Sequence, residues 1–561
     1  MTNPSPPGSL DDEKRGRITV NTTEVEDFPP PKTDSVVSMG AFATPPSPSE
    51  GGTLVPDEPD KPSNELSPWQ TSIIIITLSG ITLTTSMSVG AFTIALPAMA
   101  KDMNLTAQFL LWPQSMYSLT NGCFLFLAGS IADHIGNRNM NIFGCFFAGS
   151  FVLAAGLSQT GLQLTAFRGL QGIGAAICLP TAFSIISKTI PMGRKRNIAF
   201  ACLGLGQPLG WFLGLLVGGI CERSRPRWRL AIYITAALTI LLGLVNIWSL
   251  PNDRKKESSS WSSFYRSVDW VGLTISSTCF GTLSYVFAAI SGDLEAVEHP
   301  ANIVLLCLAA LLIPMFAFWM NLQEKHGRPA LVPNSMWRNK AFTCMCLMVV
   351  LIWATLQCMR LFLSLFLQNI QHFSALNAAV LLLPNVIAGI ALNLLTGFLA
   401  CRVSSYYLVF IANVFGILSP LLLCVINPAW NYWLCSFWAV LLSPVSAGVV
   451  FTIANLVITD AFPKETQALA GAMSNTAQQL GGAFGLALAG VVAARRYQGG
   501  QNGSQDALWL GYRAVFYMCF GAMVLACLLG VVALRGAGIV GTSNGEKRPT
   551  TAKQDGDVQA V

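Results

Sequence analysis

Charge is what this sequence has least of. Asp, Glu, Lys and Arg together make up 11% of its 561 residues, against about 25% in an ordinary soluble domain. The chain also lacks a G-x-x-x-x-G-K-[ST] loop, which excludes a self-contained ATP-driven pump. Its four histidines, His134, His299, His326 and His372, fall in or near predicted loops rather than in apolar runs, so intramembrane metal chemistry has no ligand set. No CxxC pair organises the fifteen cysteines; Cys123, Cys145, Cys202, Cys307 and Cys424 sit inside apolar runs as small packing residues. Nothing points to an enzyme, a cofactor or a nucleic-acid partner. No basic-then-apolar leader opens the sequence, and the first long apolar run begins near Thr71 and should insert as a true span.

Apolar character fills the space that charge leaves. Hydrophobic residues are 52% of the chain and mean hydropathy is +0.53, which places most of it in lipid. A span needs about 20 apolar residues. Runs of that kind lie near 71–100, 107–131, 140–158, 161–188, 195–221, 228–250, 268–290, 301–321, 340–368, 374–400, 405–426, 430–456, 463–494 and 512–535. That predicts fourteen helices. Residues 1–66 and 537–561, rich in Pro, Ser, Thr and charge, cannot bury enough apolar area to offset their ordering entropy and are expected to be disordered tails.

Basic residues set the expected orientation. With both termini cytoplasmic, KTIPMGRKRN, NDRKKESSSWSSFYRS and QEKHGRPALVPNSMWRNK fall inside, and the acidic SGDLEAVEHP falls outside. One outer loop, CERSRPRWR, breaks the pattern. The sequons at Asn104 and Asn502 land outside, which makes them glycosylation candidates.

Two internal echoes indicate a duplicated half. GSIADH at 129–134 aligns with GFLACR at 397–402, and IPMGRKRN at 190–197 aligns with FPKETQ at 462–467. The offsets of 268 and 272 residues agree closely enough to mark one duplication. Spans seven and eight have no partner in this register. The expected architecture is therefore a six-helix bundle over 67–250, a linker with two inserted spans over 251–339, and a second six-helix bundle over 340–536.

These features resemble the major facilitator superfamily, and more narrowly its fourteen-span drug:proton antiporter branch of fungal multidrug and metabolite exporters. The similarity covers about residues 67–535. Its motif G-x-L-A-D-x-x-G-R-[KR] matches Gly129, Ala132, Asp133, Gly136 and Arg138, with Ile131, His134 and Asn137 departing from it. The resemblance implies a conformational latch in which the Asp meets a helix end of the opposite half. A solvated loop carboxylate is the bland alternative. The family's R-x-x-Q-G motif, associated with proton coupling, matches Arg168, Gln171 and Gly172. An arginine in hydrocarbon costs about 2.5–3.5 kcal/mol on insertion scales, so Arg168 should face the bundle interior, for coupling or as a structural group.

In span five, Gly206, Gly210, Gly214 and Gly218 recur every four residues beside Pro208 and Gly219. Such a face permits close backbone approach, either for packing or for gating. It resembles the antiporter motif G-x-x-x-G-P-x-x-G-G, except that Leu215 stands where the Pro belongs. Arg360 in span nine has no acidic neighbour on its own helix, which invites an anionic ligand or pairing with carbonyls. Gln207, Gln357, Asn385, Asn393, Asn455, Asn475, Gln478 and Gln479 add polar groups at membrane depth, and Trp112, Trp211 and Trp353 add flat apolar walls. No Asp or Glu lies well inside any run; Asp102, Asp133, Glu222, Asp269, Asp460 and Glu465 all fall at ends. The proton carrier is thus unassigned. The expected protein is a monomeric plasma-membrane (or vacuolar or vesicle-membrane) efflux transporter of a small amphipathic molecule, driven by protons, with import or ligand sensing as its rivals.

Overall fold

The computed structural model describes residues 67–105, 111–190, 194–222, 224, 228–251, 269–292, 298–328, 330, 332, 334–399, 402–461, 464–498 and 505–533. The two expected tails, the basic linker after residue 251 and Asn502 lie outside these residues. Described secondary structure is entirely helical. The first half comprises α1 (Pro68–Asp102), α2 (Trp112–Ile135), α3 (Asn137–Leu157), α4 (Gly161–Thr189), α5 (Arg194–Cys221) and α6 (Trp228–Ser249). Two further helices, α7 (Trp270–Gly292) and α8 (Pro300–Lys325), precede the second half. That half contains α9 (Lys340–Leu365), α10 (Ala375–Leu381), α11 (Leu383–Leu399), α12 (Ser405–Val425), α13 (Ser436–Leu442), α14 (Val445–Ala461), α15 (Lys464–Gln498) and α16 (Gln505–Ala533).

Twelve spans among the described residues are long and apolar enough to cross a membrane. The helices α2 and α7, of 24 and 23 residues, are about 35 Å long at 1.5 Å per residue, against a hydrocarbon core of about 30 Å. Two of the runs read as single helices are broken. The tenth divides into α10 and α11 beside Pro384, and the twelfth into α13 and α14 beside Pro444. Proline removes a backbone donor and crowds the preceding turn. Beyond α9 the chain continues as one π-helical turn, Phe366–Ile370.

Local chemistry fixes the helix ends. Ser67 and Gln70 form a capping box before α1, with Pro68 at the first turn. The hydroxyls of Thr160 and Ser374 accept from the backbone N–H of Gln163 and Asn377. Between α2 and α3 the turn is a single residue, Gly136, at φ 109° and ψ 137°. Residues with a Cβ avoid that region.

Each half has its own apolar core. Ile74, Leu78, Ile81 and Ile186 anchor one cluster of the first half, and Met348, Val409, Val450 and Ile453 anchor the second half. A third cluster joins the halves at the end where α1 terminates, hereafter the Asp102 end. Ile94, Leu96, Leu111, Trp211 and Leu215 there pack with Phe362, Phe366, Ala378 and Val440. At the opposite end, near the Gly136 turn, a Cβ on Gly129 would find nothing within 4 Å.

The hairpin α7–α8 lies against both halves. Tyr285 of α7 meets Trp112 edge-on at 5.8 Å, and Phe280 meets Phe484 of α15 at 5.7 Å. Asp269, just before α7, accepts from the Gly272 N–H and from Trp319 Nε1 of α8. The basic loop that broke the orientation pattern has a structural use. Arg229 donates to the carbonyls of Gly156, in the last turn of α3, and of Ser158, which caps that helix, and pairs with Asp102 at 3.4 Å. A cation at a helix C-terminus complements the helix dipole.

Candidate functional site

Three groups of polar or side-chain-free residues lie in the interior, and each draws on helices remote in sequence. The first surrounds Arg168, which is fully buried on α4. Its Nη1 donates to Gln171 Oε1 at 2.6 Å and to Ser88 Oγ at 3.3 Å, and its Nη2 donates to Gln114 Oε1 at 2.9 Å. Gln171 Nε2 in turn donates to Ser88 Oγ at 2.8 Å. The guanidinium lies 4.2 Å from the centre of the Phe92 ring and 4.4 Å from that of Tyr117. Among the described residues no carboxylate touches it. Amide oxygens and two ring faces therefore carry the stabilisation of this charge, and they tie α1, α2 and α4 together. Gly172, one residue past Gln171, is closed on by the Tyr117 carbonyl and the Thr120 hydroxyl. Ser88, Gln114 and Tyr117 carry no signal in the sequence, because they lie 80, 54 and 51 residues from Arg168.

The second group is the glycine face of α5. A Cβ on Gly206 would meet Thr82 Oγ1, one on Gly210 the Leu83 carbonyl, one on Gly214 the Met87 carbonyl, and one on Gly218 the Ile94 side chain. All four positions point at α1. In return Gly90 of α1 receives the Trp211 carbonyl. Gly219 points elsewhere: its Cβ would come 2.7 Å from Leu376 Cα of α10, in the other half. Pro208 lies within α5 between these contacts and is half-buried; Gln207 beside it is exposed.

Arg360 forms the third. Its guanidinium sits 4.6 Å from the centre of the Trp211 ring, so a cation of α9 faces an indole of α5 across the two halves. Arg360 Nη1 reaches Gln357 Oε1 at 3.5 Å, and Nε is buried without a partner. Trp211 is 2% exposed, and its Nε1 also lacks a partner. Arg360 itself stays partly exposed. A cation with an unfilled donor, a flat apolar wall and an amide are the features that would seat a small molecule with an anionic group.

The other candidate residues do not join this cluster. Asn385 donates to Ser443 Oγ and to the Val440 carbonyl, holding α11 against α13. Gln478 is buried and Asn475 half-buried on α15; among the described residues neither shares a hydrogen bond with Arg360. Asn393 lies beside Gly448, and the side chain of Asn455 is outside the described atoms. In the Gly136 turn, Arg138 Nη2 donates to the carbonyl of Ile247 near the end of α6. Asp133 lies in the last turn of α2, where the neighbouring Ala132 carbonyl accepts from the Gly136 N–H, while the side chain of Asp133 lies outside the described atoms. Asn104 is exposed in a left-handed turn at φ 49° after α1.

Over most of its length the chain is similar to proteins of one superfamily. The sequence profile described as Major Facilitator Superfamily matches residues 78–486. MFS-type transporter 1 of Pyricularia oryzae is 36% identical, covering 88% of this chain and 90% of its own length. The low affinity ammonium transporter of Saccharomyces cerevisiae is 25% identical over 73% of this chain and 78% of its own. The major facilitator superfamily multidrug transporter mdr3 of Aspergillus fumigatus is 26% identical over 75% of this chain and 71% of its own. Among solved structures, a bacterial homolog of the human lysosomal transporter Spinster, inward-facing and unoccupied, superposes with a TM-score of 0.59 at 13% identity. That match covers 84% of this chain and 98% of the other.

Proposed function

The chain belongs to the Major Facilitator Superfamily, and on that premise we propose that it exports a small amphipathic organic molecule bearing an anionic group. The cycle is alternating access of the two halves around an interior site. Arg360 carries the reading. It is an interior cation with a buried, unpartnered Nε and no carboxylate among the described residues beside it. Trp211, stacked against it, supplies a wall for a ring. Relatives named as multidrug transporters and efflux pumps, together with the glycine face of α5, support export over import.

Protons are the proposed driving ion, and Arg168 with Gln171 and Gly172 is the proposed coupling node. The Gly129–Arg138 turn, with Asp133 and Gly136, is the proposed conformational latch at the cytoplasmic face. The proposed location is the plasma membrane, with both termini cytoplasmic and Asn104 and Asn502 outside.

The test is a metabolite profile of cells and medium with and without the gene. A compound that accumulates inside and leaves the medium on deletion supports export and names the substrate. A compound depleted inside the deletion strain and retained in its medium supports import instead. Collapse of export by a protonophore supports proton coupling; export that survives it removes that part of the proposal.

A further inference from the structure

We infer that Arg360 and Trp211 form a fastening between the halves, which an anionic substrate undoes as it binds. The inference rests on the reading of Arg360 as the anion-recognising group and adds to it the step that links binding to movement.

Trp211 is held where it cannot drift with the ligand. Its carbonyl lies against Gly90, and its neighbours Gly210 and Gly214 lie against the carbonyls of Leu83 and Met87 on α1. In this fixed place the indole is 2% exposed, its Nε1 has no partner, and its ring meets the Arg360 guanidinium. Arg360 comes to it from α9 of the other half. Eight residues further along α5, about 12 Å at helical rise, Gly219 touches Leu376 of α10. The Arg360–Trp211 and Gly219–Leu376 contacts therefore lie on one seam, and both hold the Asp102 end shut.

The guanidinium is poorly satisfied in this seat. Its polar partner is one amide oxygen at 3.5 Å, and its Nε is enclosed with no acceptor. A carboxylate that engages Nε and an Nη together offers a stronger, two-bonded fork than a ring face does. Because Nε is buried in this seat with no acceptor, that fork forms only when the side chain shifts out of it, away from the indole. The anion thus binds the released arrangement better than the fastened one, and that difference in affinity is what a ligand needs to shift a two-state equilibrium. Losing a cation–π contact of this kind changes the ratio by about 2- to 30-fold.

The experiment reads the Asp102 end by energy transfer between dyes attached through azide-bearing residues at the exposed positions Gln159 and Ala429. The full-length protein is measured in nanodiscs, with benzoate as the anionic probe and benzamide as its neutral match. Without ligand, Trp211→Leu and Arg360→Gln should each raise the open-to-closed ratio by about 2- to 30-fold. Benzoate should raise it in the unaltered protein, benzamide should not, and benzoate should add nothing in Trp211→Leu. A ratio unchanged in both variants overturns the fastening, as does a benzoate response as large in Trp211→Leu as in the unaltered protein. Benzoate binding itself, read by thermal shift, separates the two ideas. If Arg360→Gln abolishes binding and the ratio stays put in both variants, the anion reading stands and the fastening fails. If Arg360→Gln binds benzoate as well as before, the anion reading fails. Should Trp211→Leu not fold, Arg360→Gln alone still decides the ligand-free ratio.

Discussion

Adding one methyl group to Gly210 should separate α5 from α1, and an internal control lies six residues earlier on the same helix. A Cβ on Gly210 would press on the Leu83 carbonyl oxygen, with the Leu83 carbonyl carbon at 2.8 Å and its Cα at 2.9 Å. Carbon atoms pack best at about 3.5–4.0 Å, so the helices must part by roughly half an ångström to one ångström. The atoms in the way are backbone, which no rotamer change can move aside. Overpacking of this kind costs about 1–3 kcal/mol. Gly204, on the same helix, would meet nothing within 4 Å, and there Ala gains helix propensity of about 0.8–1.0 kcal/mol over Gly. Gly210→Ala gains the same propensity, so the overpacking should leave it about 1–3 kcal/mol less stable than Gly204→Ala. It should also lose transport, because Trp211 adjoins the displaced residue. Apparent Tm in detergent and substrate flux in reconstituted vesicles measure the two effects. Equal Tm and equal flux for both variants would refute the close-packed reading of the α5 face.

Three further substitutions probe the other groups. Arg168→Lys keeps the charge but cannot reach Gln114, Gln171 and Ser88 together; losing one or two charge-assisted hydrogen bonds of about 1.5–3 kcal/mol each should lower Tm and abolish transport, and unchanged flux would show that charge alone suffices. Gly136→Ala forces a Cβ into a turn at φ 109° and should cost about 1–3 kcal/mol, read as lowered Tm, whereas Gly129→Ala, inside α2 with open space around it, should raise Tm slightly through helix propensity. Arg360→Ala should reduce flux of acidic compounds more than that of neutral ones of the same shape; equal losses would make Arg360 structural.

Much of the architecture was legible before any coordinates. Long apolar runs with charge confined to their ends leave a chain no alternative to helices in lipid, since backbone groups there must be satisfied within each segment. The turn between α2 and α3 was legible because the charged stretch 132–139, which holds Gly136, separates two such runs. The four-residue glycine spacing announced a side-chain-free face, although not which helix would lie on it. The prolines at 384 and 444 were visible too, yet the runs around them are apolar throughout, and hydropathy does not register a break between α10 and α11 or between α13 and α14.

The candidate site was legible as a set of residue types rather than as a constellation. Arg168 and Gln171 are three residues apart on one helical face, so their 2.6 Å bond follows from helical spacing. Ser88 and Gln114 belong to other helices, and nothing in their neighbourhoods marks them as partners. Asn385 looked like Gln357, a lone amide in an apolar run, but one holds two helices of its own half together and the other sits beside Arg360.

The sequence alone determined that the chain is a bundle of membrane-length helices with scarce, placed charges, because burial in lipid penalises every unsatisfied polar group at once. Which charges meet which partners was decided only by tertiary packing. Arg360 and Trp211 are 149 residues apart, and their contact depends on how α5 seats on α1 and how α9 then approaches α5. Helical periodicity specifies the face a residue occupies; only the packing of one helix on another specifies what that face touches.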